Sequence, residues 1–266
     1  MNSHAELASI GRRTVVALLA VAALCLGGCA STSGPGDPRD PFEKVNRVTY
    51  SVNSNLDKYL LKPVAQGYNF ILPQPVRTCV NNVFGNIGDL STMANNFLEG
   101  NFSDAGSDAC RIAINSTVGL LGCIDVASSH GFTKHRKDFG ITLGVWGVSP
   151  GPYVVLPFFG PSDVRDSVGL VGDLYSDPVG YVYPVWQRNT AEGIRIIDTR
   201  ASLISAGNLL SGAALDEYVF VRDGYLTRRR YLIYNGNPPD DYPADDSDQN
   251  DQPDNKQKSD KSDKKQ

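Results

Sequence analysis

Apolar residues recur along this chain at helical steps, and almost nowhere at the alternation that marks a strand. Phe42, Val45, Thr49, Val52, Leu56 and Tyr59 follow one another at steps of three and four, an apolar stripe that ends before Pro63. Asp40, Pro41 and Glu43 give this helix a start signal: an acidic N-cap, a proline at the first helical position and a glutamate three residues after the cap. A helix over 75–86 carries Val76, Val80, Val83 and Phe84 on one face, and another shows Leu90, Met93, Ala94 and Phe97 before a stop at Gly100. Ser103 caps a helix running through Asn115, and 190–205 and 215–234 are long enough for two more. Asn115-Ser116-Thr117 fits a glycosylation sequon but reads as a helix C-terminus and turn. The pattern predicts a mostly α protein with one helical domain.

One stretch resists this reading. GPYVVLPFFGPSDVRD, residues 151–166, groups large hydrophobes around a proline and is punctuated by two Gly-Pro pairs. Neither a helix nor a central strand runs easily through it, so it is expected to be an irregular insert. Pro161 or Asp163 then starts a helix, and Arg165 either pairs locally or faces a headgroup.

The two ends differ from the middle. Arg12 and Arg13 precede an apolar run from Thr14 to Leu26, the layout of a secretory signal and too short to span a bilayer. Leu26-Gly27-Gly28-Cys29 resembles the lipobox of bacterial lipoproteins, which implies cleavage after residue 28 and acylation of Cys29. Ala30 and Ser31 follow in place of the aspartate that retains such proteins in the inner membrane, which implies the outer membrane. From Pro238 the chain is nearly free of apolar residues, acidic first and lysine-rich last, too polar to repay the entropy of ordering. The expected organisation is a signal peptide over 1–28, a linker over 29–39, the helical domain over 40–237 and a disordered tail over 238–266.

Charge and cysteines narrow the function classes. Without the two arginines of the signal and the five lysines of the tail, 18 of 25 basic residues remain; without one and nine acids, 19 of 29 remain. A near-neutral body gives no support to nucleic-acid binding. Cys79, Cys110 and Cys123 remain in the body, enough for one disulfide in an oxidising compartment. Cys79 and Cys110 are the candidate pair because each falls on a predicted helix. No metal-ligand spacing joins these cysteines, and His130 and His135 are too few for most metal or acid-base sets. No cofactor motif is present. Gly147-Val148-Ser149-Pro150-Gly151 matches a nucleophile elbow, but Pro150 lacks the N–H that would serve an oxyanion, and both histidines precede Ser149. No catalytic residue is assigned.

DPFEKVNRVTYSVN at 40–53, PQPVR at 73–77, INSTVGLLGCIDVA at 114–127, DFGITLGVWGV at 138–148 and the 151–166 stretch resemble, in order, the motifs of the MlaA (VacJ) family of outer-membrane lipoproteins. The resemblance implies a largely helical, ring-like body embedded in the outer membrane and anchored there through Cys29. It also implies a channel that removes misplaced phospholipids from the outer leaflet, with a porin trimer and a soluble periplasmic lipid carrier (MlaC-like) as partners. Tyr153, Leu156, Pro157, Phe158, Phe159 and Arg165 are the candidate lipid passage. Two other readings stay open: an envelope scaffold without transport, and a phospholipid hydrolase using Ser149.

Overall fold

The computed structural model describes residues 37–239; Cys29, the signal and most of the tail lie outside the described residues. The elements are α1 (Glu43–Leu56), a π-helical turn (Asp57–Leu61), α2 (Lys62–Ile71), α3 (Gln74–Leu98), α4 (Phe102–Thr117), α5 (Val126–Ser129) and α6 (Phe139–Val145), then strands β1 (Tyr153–Leu156) and β2 (Gly160–Asp163), and finally α7 (Val164–Ser176), a 3-10 turn (Pro178–Tyr181), α8 (Val185–Ser202), α9 (Ile204–Ala213) and α10 (Glu217–Ile233). The expected mostly α class holds. Among the described residues no helix is long and apolar enough to cross a membrane.

Several boundaries moved for identifiable reasons. Asp40 is not the cap of the first helix: Phe42 occupies that position without a side-chain bond. The Asp40 carboxylate instead accepts from Asn46 Nδ2 at 2.7 Å and from the Tyr218 hydroxyl. Pro63 does not end the helix, because the π-turn before it gives way to α2, in whose first turn the proline sits, where a missing N–H costs little. The two helices expected over 75–86 and before Gly100 are one continuous α3.

The burial pattern shows which face of each helix is inside. On α3 the buried side chains are Asn86, Asp89, Thr92, Asn95 and Asn96, whereas Val76, Leu90, Phe97 and Leu98 are exposed. On α1, Asn46 is buried while Val45, Val48 and Val52, two of them from the apolar stripe, lie outside. On α4 the buried set is Ala105, Asp108, Arg111 and Asn115. Periodicity located helix in these segments and left open whether each apolar stripe faces a core or a membrane.

A polar interior survives only if its groups are paired. Arg111, almost wholly buried, donates to Ser128 Oγ at 2.9 Å and to Phe132 O at 2.7 Å, and it pairs with Asp89 and Asp125. Lys134 Nζ lies 3.1 Å from the second oxygen of Asp89. Asp108 accepts from Asn96 at 2.7 Å and lies 2.8 Å from His135 Nδ1. Burial pushes the Asp125 carboxyl up, but bonds from Ser128 and Asn115 and the charge of Arg111 outweigh it and hold it down at about 2. The covalent link here is Cys79–Cys123, which ties α3 to the turn after α4. Cys110 is free and exposed, which corrects the expected Cys79–Cys110 pair: both lie on helices, but Cys110 falls on the outer face of α4.

Replacing Arg111 by methionine leaves the buried Asp89 with only the half-exposed Lys134 and the partly exposed Asp125 without its cation. The expected loss is about 3–5 kcal/mol of unfolding free energy, read by denaturant unfolding of the purified protein; a loss under about 1 kcal/mol would show that the network is not structurally needed.

Candidate functional site

Most of the 151–166 stretch folds as a two-stranded antiparallel hairpin, not as an irregular insert, and its last three residues open α7. Tyr153 faces Asp163 and Leu156 faces Gly160, leaving Pro157, Phe158 and Phe159 as the loop. Each proline sits where its missing N–H is harmless: Pro152 before β1, Pro157 in the loop and Pro161 in a strand whose other side meets no strand. The loop closes with Phe158 at φ +67 and Gly160 at φ +87, and Phe158 is 79% exposed.

The free edge of β1 is satisfied by α1. Asn46 donates to Tyr153 O at 3.0 Å and accepts from Val155 N at 2.9 Å. Two turns on, Asn53 donates to Leu156 O at 2.9 Å and accepts from Phe158 N at 3.0 Å. Each side-chain amide thus reproduces the donor and acceptor of a neighbouring strand. Arg39 O adds a bond from Tyr153 N at 2.9 Å. Sequence reading missed both asparagines; their seven-residue spacing, off the apolar stripe, was the available signal.

Beneath the hairpin lies an ionic cluster shared by α6, α7 and α10. Asp163 caps α7 by accepting from Asp166 N at 2.7 Å, as expected for a helix starting there. Arg165 pairs with Asp163 and Asp166, so it pairs locally. Arg229 pairs with Asp138 and with Asp166, which also accepts from Tyr225 OH at 2.6 Å. Gly169 lets α7 approach α6: a Cβ there would meet Gly140 N at 2.4 Å. Burial pushes the Asp173 carboxyl up to about 6, although its Oδ1 accepts from Phe139 N at 2.9 Å.

A cavity of about 500 Å³ opens between α10, the end of α6 with the loop that follows it, and the base of the hairpin. Arg39, Arg165, Arg229 and Arg230 line it together with Val148, Leu226 and Ile233, and Ser149 is on its wall. The predicted passage residues are therefore divided. Arg165 is on the cavity wall but buried and neutralised. Leu156, Pro157, Phe158 and Phe159 form the far end and loop of the hairpin, with the two phenylalanines exposed. Tyr153 is fully buried between Tyr218 and Tyr225 and is not on the wall of this cavity; strand alternation turns it inward. Among the described residues Ser149 has no histidine partner: His130 is held at Val126 O and His135 at Asp108. Among the described residues no cluster of His, Cys, Asp and Glu is placed to hold a metal.

Comparison with known proteins adds an independent line. The sequence profile of the MlaA lipoprotein family matches residues 38–232. The intermembrane phospholipid transport system lipoprotein MlaA of Escherichia coli (strain K12) is 35% identical over 227 residues, covering 82% of this chain and 88% of that protein. The protein of the same name from Haemophilus influenzae is 30% identical over 236 residues, covering 84% and 92%. A solved structure from work on the structural basis for maintenance of bacterial outer membrane lipid asymmetry superposes with a TM-score of 0.64 at 32% identity, covering 73% of this chain and 98% of that one.

Two outcomes follow from the geometry. Asn53→Leu removes the donor and acceptor facing the hairpin loop, so hydrogen exchange at the Phe158 amide should quicken about 10–100-fold, while exchange within α4 stays unchanged. Folded Asp173 keeps its proton up to about pH 6, whereas in the unfolded chain it ionises near 3.8. The folded state then binds more protons in that window, so this group adds stability as pH falls from about 6 to about 4 and costs stability above it. Asp173→Asn, which still accepts from Phe139 N, should stabilise by about 1–2 kcal/mol at pH 8 and leave stability unchanged near pH 4; equal effects at both pH values would contradict a buried charge.

Proposed function

The chain belongs to the MlaA lipoprotein family, and from that membership and the geometry above we propose that it takes misplaced phospholipids from the outer leaflet of the outer membrane and hands them to a periplasmic carrier. The observation that carries this reading is the inversion of its helices: Val45, Val48 and Val52 on α1 and Leu90, Phe97 and Leu98 on α3 face outward while asparagines and ionic pairs fill the interior. In water such a distribution leaves apolar surface uncompensated; against lipid tails it is favourable, and irregular backbone at that depth is tolerated where it is buried in protein or lines a polar cavity. Cys29 is eight residues before Asp37, so an acylated Cys29 lies within roughly 30 Å of the described body even fully extended. An anchor together with an apolar surface gives the two attachments that stable membrane association requires.

The cavity supplies the polar half of a lipid route. Its arginines suit a phosphate, yet Arg165 and Arg229 are already balanced by Asp163, Asp166 and Asp138. A balanced wall lets a headgroup enter without holding it, which a conduit requires and a storage site does not. Leu156, Pro157, Phe158 and Phe159 form the apolar lip along which acyl chains slide. No bond is made or broken in this process, so it needs neither a catalytic residue nor a cofactor. A porin trimer and a soluble lipid carrier are the proposed partners.

Deleting the gene should raise outer-leaflet phospholipid, measured by its accessibility to added phospholipase on intact cells. Wild-type and Ser149→Ala proteins should both restore the low level, and Phe158→Asp with Phe159→Asp should not. Surface phospholipid unchanged by the deletion would favour a scaffold, and failure of Ser149→Ala alone would favour a hydrolase.

A further inference from the structure

A second, smaller cavity of about 210 Å³ lies where α2, the first turn of α3 and the last turns of α8 meet. Two opposite charges line it without touching each other. Asp198, 4% exposed, accepts from the Tyr68 hydroxyl at 2.9 Å and from Asn81 Nδ2 at 2.9 Å. Arg77 donates to Asn69 Oδ1 at 2.5 Å and to Gln74 Oε1 at 2.6 Å, and its Nε is buried without a partner. Among the described residues neither takes part in an ion pair, whereas Arg111, Arg165, Arg222 and Arg229 all do. Buried charge in this interior is mostly matched by opposite charge; Asp173, met by a backbone N–H, is another carboxylate without a cation at contact distance, but only here among the described residues does a carboxylate met by neutral donors share a cavity with a guanidinium met by neutral acceptors.

The positions beside the lining residues are apolar and outside. Phe70 is 92% exposed and Ile71 74% exposed, next to Asn69; Val76 adjoins Arg77, and Leu203 adjoins Ser202. A ligand that satisfies all of this has a cationic end, an anionic end and an apolar body. The space holds about seven waters at roughly 30 Å³ each, enough for a small headgroup and too little for acyl chains, which would lie on the apolar positions outside.

We propose that this cavity is a binding site for the zwitterionic phosphoethanolamine headgroup of a phospholipid, with the ammonium at Asp198 and the phosphate at Arg77. It rests on the reading that the protein handles phospholipids, and it adds a headgroup preference exercised away from the arginine-lined cavity. Tyr68 and Asn81 hold the carboxylate in place as donors; burial and the neighbouring Asp198 push the Tyr68 hydroxyl up to about 12, so it keeps its proton. Thr78 and Ser202 give the wall further hydroxyls. A glycerol headgroup has no cation for Asp198 and leaves that charge buried and unmatched, which disfavours it.

The test uses the full-length purified protein. Soluble glycerophosphoethanolamine and glycerophosphoglycerol are titrated by calorimetry, and the protein is extracted from vesicles of equal phosphatidylethanolamine and phosphatidylglycerol, with retained lipid read by mass spectrometry. Wild type should favour the ethanolamine form about tenfold in both assays. Asp198→Asn should equalise the two forms, and Arg77→Gln should weaken both about tenfold. Thr78→Leu, which fills the cavity but keeps both charges, should also weaken both and guards against misfolding of the charge variants. No preference in wild type, or an unchanged preference in Asp198→Asn, overturns the headgroup site. Binding of glycine betaine as tightly as glycerophosphoethanolamine, with no preference among retained lipids, overturns it in favour of a free zwitterion. Clearance of surface phospholipid from cells carrying Asp198→Asn is measured alongside, so that loss of headgroup preference and loss of transport are read separately.

Discussion

Two asparagines, seven residues apart on α1, do the work of a missing strand, and much of the remaining structure is arranged around that requirement. A two-stranded hairpin is marginal by itself and carries a row of unpaired backbone groups along its edge. Asn46 and Asn53 close that row with four hydrogen bonds. To do so, α1 must turn its amide face inward and its valines outward. Asp40 then has to orient the buried Asn46, and Arg222 and Tyr218 of α10 have to engage Asp40. The apparent cap residue of the first helix is in fact a link that ties that helix to the last one.

The same logic runs through α3 and α4. Once the apolar faces are turned out, cohesion rests on matched polar groups, and each group must find its partner at the right distance because an unmatched one costs more than a matched one gains. Arg111 is the clearest case, with two carboxylates, a hydroxyl and a carbonyl around one guanidinium. Such an interior is specific but tolerates change poorly: alternative packings leave charges exposed to low dielectric, so few are accessible. That rigidity suits the proposed role, in which the body keeps a polar route open beside a lipid phase.

Sequence periodicity located the helices because a 3.6-residue repeat is the same whether the apolar stripe faces a core or a membrane. It could not tell the two apart, since the answer lies in what surrounds the molecule. The hairpin was hidden for a different reason: the prolines in and around 151–166 argue against a central strand, and only the neighbouring helix shows that this pair has no central strand to break. Tyr153 was expected at the passage along with other residues of the 151–166 stretch, but its place on β1 turns it into the core. The Cys79–Cys123 link was equally illegible. Cys123 lies in a turn that no periodic pattern marks, whereas Cys110 lies on a helix and on its outer face.

Two apolar tips show that the outward display is built in and not incidental. Leu120 and Leu121 both adopt left-handed backbone, φ 54 and 59, and both are exposed. Phe158 does the same at the end of the hairpin. Left-handed backbone costs a non-glycine residue roughly 1–2 kcal/mol, and nothing in water repays it for a side chain that remains outside. Both tips are nevertheless held firmly. Gly122 N and Gly119 N bond back onto α4, and Asn82 Nδ2 reaches Cys123 O beside the disulfide; at the other tip Asn53 accepts from Phe158 N. A structure that fixes strained, apolar, exposed residues from the polar side is holding them toward something apolar. A lipid leaflet meets that description, and it would offset the backbone strain by burying the leucines and phenylalanine that water leaves exposed.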